Sequence, residues 1–171
     1  MPARITRTLC LSKFLLMTFQ EIPGCLHDDP PLTELAKSLI SALNETESNH
    51  HWDRLVSLNK RHFMLLEDSD WPSQLVATSS VFYSWLDDWN NDSPDQFSSR
   101  LRTLDLAADV PVFIFWMRET GARTNWGTFT DNWINFLYED EGCIVVTEES
   151  TTSLVLSNGH CWVGNRADYE A

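Results

Sequence analysis

"GCIVVTEESTTSLVLSNGHCWVGNR", residues 142–166, holds three apolar runs separated by turn chemistry. Asn158-Gly159 is the strongest local signal, because both central positions of a type I′ hairpin turn need positive φ and these residues tolerate it. With that turn in place, Ser157 faces His160, Leu156 faces Cys161 and Leu154 faces Val163. A preceding turn centred on Glu149-Ser150 sets Cys143 opposite Leu156 and Val145 opposite Leu154. Side chains alternate faces along a strand, so one face of this meander reads Cys143, Val145, Leu154, Leu156, Cys161, Val163. All six are apolar, which makes this the expected core face. The other face mixes Ile144, Val146 and Val155 with Ser153, Trp162 and Gly164. The same register places Cys143 and Cys161 two strands apart, on the order of 10 Å. A disulfide spans at most about 7 Å between Cα atoms, so this pair is not expected to form one.

Upstream of the meander, "VPVFIFWMRET" (110–120) is continuously apolar from Val112 to Trp116, as in a strand buried on both faces, and Gly121 is read as its end. Then "TNWGTFTDNWINFLYED" (124–140) spaces Trp126, Phe129, Trp133 and Phe136/Leu137 along one helical face. Glu139, Asp140 and Glu141 lie between that helix and the first meander strand. The plainest reading of the triplet is a solvated helix-to-strand corner, since such connections are polar. The sharper one is an acidic patch that a rigid aromatic helix presents to a partner.

The N-terminal half reads as helical. In "HDDPPLTELAKSLISALNE" (27–45), Asp29 is placed to cap and Pro30 to open a helix carrying Leu32, Leu35, Ala36, Leu39 and Leu43. Trp52, Leu55 and Val56 indicate a short helix, and His62–Leu66 a strand. Residues 72–89 give a second long helix with Leu75, Phe82, Leu86 and Trp89 near one face. Ser93 then caps and Pro94 opens a further helix with Gln96 at its third position and Phe97, Leu101 and Leu104 on its apolar side. The order α, α, β, α, α, β, α, βββ predicts a single α+β domain, with a mainly antiparallel sheet, a C-terminal β-meander and helices packed on one face.

The chain has 171 residues, a length suited to one domain with its own core. Its formal net charge is −13, and residues 1–16 hold Arg4, Arg7 and Lys13 with no acid, leaving −16 for residues 17–171. That charge disfavours nucleic-acid phosphates and anionic membranes and favours a basic protein partner, although surface charge also serves solubility alone. Residues 1–16 read as a disordered tail or a mis-assigned start, since Lys13 interrupts the apolar run of a signal peptide and Met17 follows. The domain is therefore placed at 17–171. No stretch is long and apolar enough for a membrane helix, and the four cysteines lack CxxC spacing, so a reduced cytoplasmic setting is expected.

Chemistry is sparse. There is no Walker A loop, GxGxxG, GxSxG or HExxH. His50-His51 and His62 lack the i, i+4 spacing of helical metal ligands, and adjacent acids without EF-hand alternation do not converge on calcium. His160 and Cys161, as strand neighbours, face opposite ways. No catalytic residue, metal set or cofactor is assigned. Asp87, Asp88, Asp92 and Asp95 form a second acidic cluster around Trp89.

The stretch 110–166, with its buried strand, W-x-x-F-x-x-x-W-x-x-F helix (Trp126, Phe129, Trp133, Phe136) and closing hairpin, resembles small acidic bacterial proteins of unknown function, several of them immunity-like. "LYEDEG" stands where that pattern has a Pro/Ser-rich turn. The resemblance implies a toxin-binding inhibitor and carries over no catalytic residue. The expected function is thus a non-enzymatic interaction module that binds a basic toxin through an acidic aromatic face. Asp87, Asp88, Glu139, Asp140 and Glu141 supply its charge and Trp89 its anchor. The alternatives are a hydrolase or transferase of an unfamiliar family using carboxylates and His160, and a homo-oligomer with tryptophans between subunits.

Overall fold

The computed structural model describes residues 19–137 and 142–169. Among the described residues six helices and seven strands follow in chain order: α1 Glu34–Leu39, β1 Ser41–Ala42, α2 Glu45–Leu55, α3 Trp71–Thr78, β2 Tyr83–Ser84, α4 Leu86–Asn90, α5 Asp95–Leu101, β3 Pro111–Met117, β4 Thr120–Asn125, α6 Trp126–Asp131, β5 Cys143–Thr147, β6 Thr152–Ser157 and β7 His160–Asn165. Short 3-10 turns lie at Phe63–Leu65, Trp133–Phe136 and Arg166–Asp168. The strands form one antiparallel sheet in the order β1-β4-β3-β5-β6-β7-β2. This is the expected α+β fold, and its last three strands are the expected meander.

The meander register is the one its alternation dictates. Cys143 pairs with Leu156 and Val145 with Leu154, while Leu154 meets Val163, Leu156 meets Cys161 and Ser157 meets His160. Asn158 and Gly159 have φ of 49° and 78°, as a type I′ turn requires. Cys25, Cys143 and Cys161 are buried, and Cys143 and Cys161 carry free thiols.

The helices, however, cover both faces of the sheet, not one. On the first face, Val112, Ile114, Cys143, Val145, Leu154 and Leu156 pack with Ala36 of α1, Phe97 and Leu101 of α5, Trp126 and Phe129 of α6, and Trp133 and Phe136. On the second face, Phe113, Phe115, Ile144, Val146 and Val155 pack with Trp52 and Leu55 of α2 and Trp71 and Leu75 of α3. Trp52 meets the Phe115 ring edge-to-face, with centroids 5.7 Å apart. The meander's second face is apolar enough at Ile144, Val146 and Val155 to need this cover.

Other boundaries move for identifiable reasons. The helix expected over 72–89 is broken at Ser79, because Phe82 and Trp85 donate their N–H groups to the Cys161 and Gly159 carbonyls, each at 2.8 Å. The segment becomes β2 and covers the outer edge of β7, where unpaired backbone groups would otherwise lie. Gly121 does not end the sheet. It sits inside β4, opposite Phe115, and a Cβ there would lie 2.8 Å from that ring. The aromatic helix stops at Asp131 and continues as the 3-10 turn, yet Trp126, Phe129, Trp133 and Phe136 are all buried.

His62–Leu66 forms a 3-10 turn where a strand was expected. The first helix starts after Thr33, whose hydroxyl accepts from the Ala36 N–H, four residues beyond Asp29. α5 begins at Asp95, with Pro94 and not Ser93 in the cap position. Helix α2 starts with a full capping box between Asn44 and Glu47.

Candidate functional site

A cavity of about 640 Å³ lies beside Trp89. Three segments far apart in sequence form it. The first is a tight turn in which Ile22 and Leu26 exchange backbone hydrogen bonds of 2.8 and 2.9 Å. The second is the end of α4, where Asn90 is followed by Asp92 in the left-handed region at φ 50°. The third is Ile134, in the 3-10 turn after α6.

A single buried amide ties the first segment to the third. Asn135 donates through Nδ2 to the carbonyls of His27 (3.0 Å) and Pro30 (2.6 Å), and its backbone carbonyl accepts the His27 N–H at 3.1 Å. His27 Nε2 also lies 2.7 Å from the Leu137 carbonyl oxygen. A carbonyl only accepts, so the ring carries a proton on Nε2.

The floor and walls are apolar, from Ile22, Pro23, Leu26, Pro30 and Ile134, with the half-buried Trp89 on one side. Glu21, Asp29 and Asp92 supply carboxylates, and no Lys or Arg is among the lining residues. Nearby, Asp28 is neutralised. Lys37 reaches it at 2.6 Å and, with the Leu32 N–H, holds its carboxyl below the usual range.

The residues singled out from the sequence separate here. Trp89 lines the cavity. Asp87 is exposed on α4 and outside the lining. Asp88 is buried and accepts the Tyr83 hydroxyl at 2.7 Å, so it faces inward and not towards a partner. Glu139, Asp140 and Glu141 lie outside the described residues. Nothing local in the sequence links Glu21, or Asp29 beyond its expected capping role, to residue 89. Asp92 was visible only as a member of the acidic cluster around Trp89.

Other chemistry is dispersed. Among the described residues no three of His, Cys, Asp and Glu are grouped to hold a metal ion. His51 stacks on Phe113 with centroids 4.2 Å apart, and burial draws its pKa down. His62 lies 3.3 Å from Glu119. Burial pushes the Cys143 and Cys161 thiols up, away from reactivity. Ser84 Oγ and His160 Nδ1 meet at 2.9 Å across β2 and β7, on the surface and away from the cavity.

A family model described as "Protein of unknown function (DUF2947)" matches residues 18–164. No curated protein and no solved structure matches the chain.

Proposed function

We propose that this chain, which belongs to the DUF2947 family of proteins of unknown function, is a non-enzymatic interaction protein that binds a basic partner through an acidic, aromatic-walled cleft. In its specific form it is an immunity-type inhibitor of a basic toxin. The observation that carries this reading is Trp89 on the wall of a 640 Å³ cavity whose charged groups, Glu21, Asp29 and Asp92, are all negative. Aromatic anchors ringed by charge are the usual energetic centre of an interface, and the net charge of −13 steers a cationic partner towards it. The face is built differently from the sequence expectation. Asp29, Glu21 and Asp92 take the part first given to Asp87 and Asp88.

The test is capture of partners from the source cell's lysate at low salt, elution with rising salt, and identification of what elutes. A basic protein that leaves at moderate salt, and whose toxicity co-expression of this chain abolishes, supports the reading. A partner that is acidic or salt-insensitive, or no partner at all, sinks it.

A second reading, a hydrolase, is favoured by the Ser84–His160 contact. Its histidine faces the serine through Nδ1, whereas the catalytic arrangement presents Nε2 and uses Nδ1 for an orienting carboxylate. Covalent labelling of Ser84 by a fluorophosphonate would revive that reading.

A further inference from the structure

We infer that the cleft beside Trp89 is an arginine-receiving pocket, which takes one guanidinium of a basic protein partner against the indole face, counter-charged by Asp29 and Asp92. This rests on the interaction reading above and names the chemical group that enters.

The first ground is the donor and acceptor inventory. Glu21, Asp29 and Asp92 are carboxylates and only accept. His27, with its Nε2 proton spent on the Leu137 carbonyl, keeps Nδ1 as an acceptor when neutral. Among the lining side chains only the Asn90 amide and the Trp89 indole N–H add donors. A pocket so rich in acceptors is complemented by a group that only donates. Guanidinium has five N–H donors in a planar fork and no acceptor, whereas an ammonium is a compact, strongly hydrated point charge.

The second ground is pairing. Several acids elsewhere in this chain are matched, Asp28 by Lys37, Asp53 by Arg118, Asp70 by Arg61, Asp131 by Arg102, and Asp88 by the Tyr83 hydroxyl, while other exposed acids such as Asp87 and Asp95 stand open. Among the described residues, no ion pair or side-chain hydrogen bond reaches Asp29 or Asp92. Their field is not neutralised by any described residue.

The third ground is shape. Trp89 supplies the strongest aromatic face for a cation, and a planar guanidinium stacks where an ammonium cannot. The cavity of about 640 Å³ is larger than one arginine side chain, and Ile22, Leu26 and Ile134 make the remaining wall apolar. The entering segment therefore carries an apolar residue beside its arginine. A divalent cation fits less well, because no three ligating side chains are grouped among the described residues.

The experiment uses the full-length chain, labelled with ¹⁵N, and follows the Trp89 indole N–H signal, assigned with Trp89→Phe. The probes are blocked Leu-Arg, Leu-Lys and Leu-citrulline dipeptide amides. Citrulline has the shape of arginine without its charge. Leu-Arg should shift the signal saturably, and Leu-citrulline should bind at least about fivefold more weakly, the loss expected for one partly exposed charge pair. Asp92→Asn should weaken Leu-Arg by a similar factor. It keeps a residue type that tolerates φ 50°, so unchanged amide dispersion confirms folding. No saturable shift, equal binding of citrulline, tighter binding of Leu-Lys, or an unaffected Asp92→Asn each overturns the assignment. The two readings fail separately. If lysate capture yields a salt-sensitive basic protein that Asp92→Asn and Trp89→Phe weaken, while Leu-citrulline binds as well as Leu-Arg or Leu-Lys binds more tightly, the interaction reading survives and the arginine assignment does not.

Discussion

Tyr83 donates its hydroxyl to the carboxylate of Asp88 across 2.7 Å, joining edge strand β2 to helix α4. Burial together with this bond pushes the Tyr83 pKa up to about 12. The raised pKa means that the neutral phenol is favoured in the folded state. Its contribution is complete below the ordinary value of 10.0 and is lost as pH rises through about 12. Asp88→Asn should therefore lower the Tyr83 ionisation midpoint in an ultraviolet titration and cost about 1–3 kcal/mol in urea unfolding. Asp87→Asn, at an exposed position, should leave both unchanged within about 0.5 kcal/mol.

Asp70 anchors the loop between α2 and α3. Burial disfavours its charge, but the Glu67 N–H, the Ser57 hydroxyl and the Arg61 guanidinium outweigh it and hold the carboxyl below the usual 3.8. A depressed pKa contributes stability that is present above 3.8 and is lost as pH falls through the lower folded value. Asp70→Asn should cost about 2–3 kcal/mol at pH 7, the value of hydrogen bonds to a charged group. The gap between wild type and variant should narrow below pH 3.8 in urea titrations at stepped pH. A constant gap would mean that the network does not depend on ionisation.

Two glycines with positive φ should respond very differently to alanine. A Cβ at Gly142, φ 68°, would lie 1.9 Å from the Leu156 carbonyl oxygen, so β5 and β6 would have to separate. Gly142→Ala should cost roughly 3 kcal/mol or more, combining overpacking with left-handed strain. A Cβ at Gly24, φ 74°, meets nothing within 4 Å. Gly24→Ala should cost only the backbone strain, about 1–2 kcal/mol. Thermal melts of the two variants separate these outcomes.

Burial on both faces of the sheet predicts that each face matters. Leu101 on α5 and Leu75 on α3 are both fully buried, one in each cluster. Leu→Ala at either should cost about 2–5 kcal/mol. A loss below about 1 kcal/mol at Leu75 would show that the second layer is not a true core.

The buried thiols should be silent. In a background with Cys10→Ser and Cys25→Ser, Cys143 and Cys161 should resist a disulfide-exchange reagent until denaturant is added, when two thiols should titrate. Fewer than two thiols on unfolding would reveal a bond between cysteines that this register keeps two strands apart.

How much of this was legible beforehand follows the range of each interaction. Cys143 opposite Leu156 and Leu156 opposite Cys161 could be read because the period of two and the Asn-Gly turn are local. The inward set Trp126, Phe129, Trp133 and Phe136 could be read because helical spacing survives a switch from α to 3-10 geometry. Tyr83–Ser84, expected within a helix over 72–89, could not be read as a strand, since a strand of two residues exists only where a waiting edge, here Cys161 and His160, accepts it. Nor could the inward turn of Asp88, which depends on the Tyr83 hydroxyl above it.

The amino-acid sequence by itself determined the class, the meander and its register, and the acidic charge, all of which follow from composition and short-range pattern. Only the tertiary structure decided that the sheet is covered twice and that Glu21, Asp29, Trp89 and Asp92 share one cleft. The reason is physical. The cleft is closed by Asn135 bonding His27 and Pro30 from more than a hundred residues away, and no periodicity records a contact of that range.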